Sequence, residues 1–238
     1  LVVKHRNEEG GLGRQSFTNA VSGGDWIVQE YLSNAPALAR LLPADAPLST
    51  LRLVTSSRSF VRASRPAAAS DVQVLSSCWR AGRSGALTDH ESVLFDVDLQ
   101  TGQILSGTSN AHWYQLGMRK ALCCPLYSKG HTVSVHPDSG TPIRGEYVPQ
   151  MEQVCQLVRD AHLRLCPGVP LVGWDVALTA EAGVCLLEAN LSCNFFRASF
   201  DEGAYLEFVD EYAEAIHQGA LSSPPARSNV DATVRKEA

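Results

Sequence analysis

The sequence predicts a mixed α/β protein. Three observations carry that reading: apolar runs of strand length, Gly-rich turns between them, and two stretches of helical periodicity. Strands are expected over Leu1 to Lys4, Trp26 to Tyr31, Leu51 to Thr55, Val72 to Trp79, Ser92 to Val97, Val172 to Leu178 and Val184 to Glu188. Helices are expected from Pro149 to Leu165 and from Asp201 to Gln218. In the first, Val154, Leu157, Val158, Ala161 and Leu165 recur at spacings of three and four, one apolar stripe that needs a sheet to cover it. Phe208, Tyr212 and Ile216 do the same in the second. Pro149 suits a first-turn position, and Pro167-Gly168 stops the helix that precedes it. Residues 62–70 have the composition of a loop. From Ser222 onward no apolar periodicity remains, so a flexible tail is expected over 221–238.

Composition narrows the function classes. The chain has 238 residues, with 20 Lys and Arg against 25 Asp and Glu, a formal charge of −5. Binding nucleic acid by phosphate neutralisation calls for a basic excess, and none is present. No apolar run reaches the roughly 18 residues of a membrane span, so a soluble, cytoplasmic protein is expected. Seven cysteines, an odd number set among apolar neighbours, read as buried thiols in a reducing compartment. Because the first residue is Leu1 within a strand, the chain is expected to begin inside a domain whose N-terminal portion is missing.

The most informative segment is residues 172–190, VGWDVALTAEAGVCLLEAN. Asp175 sits in one apolar strand, Glu188 and Asn190 close the next, and residues 181–183 supply the turn. A hairpin of this length can set Asp175 opposite Glu188, and residues two apart on a strand share a face. Two carboxylates and an amide oxygen on one face make an oxygen-only site suited to Mg²⁺, whose companion would be a polyphosphate. Each acid alone could be a solvated turn residue. Like charges gathered in a half-buried site, however, call for a cation.

The strand, turn and strand ending in Leu-Glu-Ala-Asn resembles the metal-binding hairpin of the ATP-grasp superfamily. The chain is most similar to its sugar-transfer-associated group, through Val-Gln-Glu-Tyr-Leu (28–32), Thr-Leu-Arg-Leu-Val-Thr (50–55), His-Pro-Asp-Ser-Gly (136–140) and Gly-Trp-Asp-Val-Ala (173–177). The resemblance implies an α+β ATP-grasp fold, two subdomains with antiparallel sheets and packed helices clasping ATP. It implies a partial small subdomain over residues 1–32, with a glycine-rich flap and hinge, and a large one over 33–220. Two Mg²⁺ ions would be held at Asp175, Glu188 and Asn190. ATP would drive the joining of a small-molecule carboxylate to an amine or similar nucleophile through an acylphosphate, with a link to polysaccharide or cell-envelope sugar metabolism. The sequence leaves both substrates and the oligomeric state open.

Other residues acquire roles in the same frame. Lys4 ends the first expected strand and precedes Gly10, Gly11 and Gly13, whose backbone N–H groups could approach an anion, although the spacing is not that of a P-loop. The resemblance makes Lys4 a phosphate contact and the glycines a closing flap. It also sets Glu30, Tyr31 and Leu32 along the adenine pocket. Arg52 alternates with Leu51 and Leu53 and needs an anion partner unless it lies on an edge strand. Its planar fork suits phosphate or carboxylate. By resemblance Arg52 neutralises the transferring phosphoryl group or the substrate carboxylate, and Arg80 is a second candidate of this kind. One departure stands out: relatives carry Asn and a Gly pair where this chain has Asp89-His90-Glu91-Ser92. A relative that binds nucleotide without turnover is the competing class. Cys123 and Cys124 with His112, His131 and His136 lack the C-x₂₋₄-C half of a zinc site, His131 to His136 alone having H-x₃₋₅-H spacing, and a Cys–His nucleophile remains open on sequence. His136 to Gly140 has turn chemistry, and the resemblance sets it near the acceptor substrate.

Overall fold

The computed structural model describes residues 2–5, 15–16, 26–59, 68–112, 116, 132–191 and 198–218. The glycines at 10, 11 and 13, residues 60–67 and the tail 221–238 lie outside the described residues. Two antiparallel sheets organise the chain. The smaller has the order β2-β1-β3, built from β1 (Val2–His5), β2 (Gln15–Ser16) and β3 (Trp26–Gln29). The larger has the order β7-β6-β5-β4-β8-β9. Its strands are β4 (Thr50–Ser57), β5 (Val72–Ala81), β6 (Val93–Val97), β7 (Ile104–Ser109), β8 (Leu171–Thr179) and β9 (Gly183–Asn190). The described helices are α1 (Pro36–Ala39), α2 (Met151–Leu165) and α3 (Glu202–His217). No helix among the described residues is long and apolar enough to cross a membrane.

Strand alternation divides the large sheet into an apolar and a polar face. Leu51, Leu53, Trp79, Phe95, Trp174, Val176 and Leu178 face one side and are buried with Leu38 of α1 and Val154, Val158 and Ala161 of α2. Ile143 and Val148, from the chain between β7 and α2, complete this core. On the second face, Val54 and Leu75 are covered by Phe200 and Tyr205, while Cys78 and Leu94 meet Ala198. Helix α3 therefore closes one end of that face only.

Several expectations need correction. Strand β7 (ILSGTS) was not expected, because Ser, Gly and Thr leave it no apolar alternation. It pairs with β6 through Gly107, where any side chain would collide with the Phe95 ring. Pro149 precedes the helix instead of occupying its first turn: Gln150 takes a left-handed conformation (φ 59°) and Met151 begins α2. Leu165 and Ile216 were expected in apolar stripes, yet both are exposed in the last turns of their helices, and Ala215 is buried instead. Cys78 and Cys155 are buried thiols as expected, whereas Cys166 and Cys185 are half-buried.

One polar chain threads the apolar core. The Trp174 indole donates to the Thr55 hydroxyl at 2.8 Å, and that hydroxyl lies 2.6 Å from His162 Nδ1. His162 Nε2 donates to the Val169 carbonyl at 2.8 Å. A carbonyl only accepts, so the ring carries its proton on Nε2 and takes the Thr55 proton on Nδ1. His136 is wired alike, donating from Nε2 to the Gly82 carbonyl at 3.0 Å and accepting the Asp138 N–H on Nδ1. Burial lowers the pKa of both histidines against their backbone bonds.

Two outcomes follow from these networks. Thr55→Val, nearly isosteric, strands the Trp174 donor and the His162 acceptor and should lower the unfolding free energy in urea by about 3 kcal/mol at unchanged m. Because His136 and His162 stay neutral when folded while the unfolded chain takes up protons near pH 6.5, their contribution is complete above that pH. It should be lost as pH falls below about 6.5 toward their lowered folded values, read as a declining urea midpoint between about pH 7 and 5. A flat profile would contradict the tautomers assigned.

Candidate functional site

The polar face of the large sheet gathers charge along one row. Register aligns Asp96 of β6 with Cys78 of β5, Cys78 with Arg52 of β4, Arg52 with Asp175 of β8, and Asp175 with Glu188 of β9. One step along β5, Arg80 stands opposite Thr50 and Leu94. Arg52 thus lies in the middle of the sheet, with its side chain opposite the face of Leu51 and Leu53, and not on an edge.

The centre of the row is an ion cluster. Arg52 donates to Asp175 through Nε (2.5 Å) and Nη2 (3.1 Å), the fork-on-carboxylate arrangement that a planar guanidinium favours. Arg80 approaches the same carboxylate, Nη2 lying 2.7 Å from Oδ2, and its Nε lies 3.2 Å from Asp89 Oδ2. Both of these Arg80 nitrogens are buried and engaged by the carboxylates at ion-pair distance. Thr50 donates its hydroxyl to Asp89. Two cations thus face two anions. Burial would raise the Asp175 pKa, but the charges of Arg80 and Arg52 outweigh it and hold the carboxyl below its ordinary value. Burial would likewise lower the Arg80 pKa, and Asp89 and Asp175 push it up instead.

Glu188 and Asn190 flank this cluster on the sheet edge. Glu188 is exposed, and its carboxylate takes a long bond (3.4 Å) from the Asn190 amide. A bulge makes the arrangement possible. Val176 pairs with Leu186, yet Asp175 pairs with Glu188, so the register shifts by one residue between them. Without the shift, Glu188 would share the core-facing side of Leu186, two residues before it. Gly183, at φ 67°, opens β9 after a turn over residues 180–182, one residue earlier than the expected 181–183. Among the described residues no three His, Cys, Asp or Glu side chains gather as a metal cage. Of the three expected ligands, Asp175 has both oxygens engaged by arginines, while the side chains of Glu188 and Asn190 meet only each other among the described residues.

The remaining expected residues are not part of the row. Lys4 lies within β1, paired with Ile27 of β3. Glu30 and Tyr31 are exposed and Leu32 half-buried, in the extended chain joining β3 to α1. His136 is fully buried and bonded to backbone on both ring nitrogens, so its loop is anchored inward. Beside it, Asp138 is held down to about 2 by the Arg83 fork.

Asp89 had stood out only as a departure from the relatives' pattern; its carboxylate proves to be part of the cluster. Asp96 escaped notice, although a lone acid inside the apolar run LFDV was a legible signal. Its carboxylate accepts the Ser199 N–H (3.0 Å) and the Ser199 hydroxyl, and burial raises its pKa against those bonds. Asp96 therefore fastens the chain that returns to the sheet after Asn190.

A family model for sugar-transfer associated ATP-grasp proteins matches residues 16–198, well over half of the chain. No curated protein and no solved structure gives a significant match. The matched stretch contains the six-stranded antiparallel sheet and the whole Arg52–Arg80–Asp89–Asp175–Glu188–Asn190 row. The α+β architecture, a sheet with helices packed on its apolar face, agrees with that family. The chain belongs to the sugar-transfer associated ATP-grasp family, and with it carries ATP-binding, ligase-like character.

Proposed function

We propose that this chain binds Mg-ATP against the polar face of the large sheet and uses it to join a carboxylate to an amine or similar nucleophile. The observation that carries the reading is the Arg52–Asp175–Arg80 cluster flanked by the exposed Glu188. Positive groups stand beside an exposed carboxylate that no cation neutralises among the described residues. In this reading residues 1–32 form a small lobe and 33–220 a large one. Lys4 and the glycines at 10, 11 and 13 meet the phosphates, and Glu30, Tyr31 and Leu32 border the adenine.

The donor set fits Mg²⁺ in kind, since it offers only oxygens and the Glu188 carboxylate is accessible. Glu188 and Asn190 would hold the ion together with Asp175 once an arginine yields one of its oxygens, and the ion when bound supplies charge neutralisation for the phosphates. The protein's own groups contribute position and charge. Arg80, held between Asp89 and Asp175, contributes fixed positive charge beside the site. Arg52 holds Asp175 in place. A substrate carboxylate oxygen attacks the γ-phosphorus and ADP leaves, giving an acylphosphate. The nucleophile's nitrogen then attacks the acyl carbon, phosphate leaves with the C–O bond's electron pair, and the nitrogen loses a proton to solvent. Aligning these groups is where most of the barrier reduction arises.

Glu188→Gln is the informative variant, because Glu188 is exposed and lies outside the buried ion cluster. ADP release from the full chain, screened against amino acids, hydroxy acids and amino sugars, should fall at least about 100-fold in this variant. Its thermal midpoint should stay within about 2 °C. Near-normal turnover would sink the metal assignment, and ATP binding without ADP release for any carboxylate would favour a nucleotide-binding module. Asp175→Ala should act differently. It leaves two buried guanidiniums without their shared anion and should cost about 3–5 kcal/mol of stability, measured by urea unfolding.

A further inference from the structure

The chain that leaves β3 is stitched to the turn of the Asp175–Glu188 hairpin. Ala35 N–H donates to the Leu178 carbonyl at 2.9 Å, Ala180 N–H donates to the Ser33 carbonyl at 3.1 Å, and Asn34 forms a bridge with Thr179. On its other side, Asn34 Oδ1 accepts the Ser49 N–H (2.8 Å) and its Nδ2 donates to the Pro47 carbonyl (2.9 Å). Residues 33–35 thus lie between the β8–β9 turn and the loop that enters β4.

Glu181, in that turn, adds a side-chain clamp. Its Oε2 accepts the Ser33 N–H at 3.0 Å and its Oε1 accepts the Ser33 hydroxyl, and these bonds hold its carboxyl below the ordinary value. Glu181 is exposed, so packing gives no reason for a carboxylate here. What it grips is the first residue after Glu30, Tyr31 and Leu32.

We propose that Glu181 is a positioning residue for nucleotide binding, clamping Ser33 so that residues 30–32 are held at a fixed place relative to the Arg52–Asp175 face. The proposal rests on the reading that ATP lies between the small and large sheets. Three residues separate β3 from Ser33. Freedom at Ser33 therefore passes directly to the segment that would border the base, and ordering that segment at the moment of binding costs affinity. A clamp formed beforehand removes that cost. It also couples both ends of the nucleotide to one hairpin, whose strands carry Asp175 and Glu188 and whose turn carries Glu181.

The test is calorimetric titration of the full chain with ATP and MgCl₂, alongside thermal unfolding. Glu181→Ala should weaken ATP at least about fivefold while the thermal midpoint moves by no more than about 2 °C. Glu181→Gln keeps a carbonyl for the Ser33 N–H and gains an amide donor for the hydroxyl, so it should bind within about twofold of the unaltered chain. Ser33→Ala should lose part of the affinity, and adding Glu181→Ala to it should leave affinity no worse than Glu181→Ala alone. Equal affinity of Glu181→Ala and the unaltered chain overturns the clamp, as does a Glu181→Gln protein as weak as Glu181→Ala. If the unaltered chain itself takes up no ATP, the nucleotide reading fails, and the clamp fails with it.

Discussion

Asp175 accepts one arginine from the neighbouring strand and lies against another from the strand beyond. That sharing is the constraint on which the polar face depends. Arg80 could not be buried, nor Arg52 largely buried, on a sheet face without an anion within reach, and Asp175 could not be buried without cations. Buried ion pairs of this kind contribute little net stability. They are nevertheless demanding about partners, because removing one leaves the others uncompensated. The cluster fixes the lateral register of β5, β4 and β8, and so the position of everything that projects from their polar side.

The same strands also build the core. In β4, Leu51 and Leu53 meet the helices while Arg52 turns away from them; in β8, Trp174 and Val176 do so while Asp175 faces the arginines. Core packing and site geometry are therefore one alternating pattern seen from two sides. A site built this way is preorganised, since its side chains stand on strands held from behind by Trp79, Phe95 and Trp174. The Thr55–Trp174–His162 chain contributes to that backing, with polar groups satisfied inside an apolar layer.

Segments from outside the sheet are tied to it at two places. Asp96 captures Ser199 on the β6 side, fastening the chain that follows β9. Glu181 captures Ser33 at the β8–β9 turn, fastening the chain that follows β3. Both fastenings use a carboxylate to accept a backbone N–H and a serine hydroxyl from one residue. Asp96 does this buried, where desolvation raises its pKa, and Glu181 does it in the open, where the bonds alone lower it. The sheet that carries the row thus holds two anchored chain segments, one at β6 and one at the β8–β9 turn.

The amino-acid pattern alone determined the mixed class, seven of the strands to within a few residues, the two long helices and the polarity of Arg52, because each rests on local periodicity. It also singled out Asp175, Glu188 and Asn190 as oxygen donors of one hairpin. What it could not contain is which groups neutralise which. The pairing of Asp175 with arginines from two other strands, and the contact of Asp89 with Thr50, depend on contacts across 39 to 123 positions of sequence. The face on which Glu188 lies was decided by a one-residue bulge between Asp175 and Val176. Simple alternation from Leu186 would have buried it, and a register shift is a property of two strands together that neither strand's own residues specify.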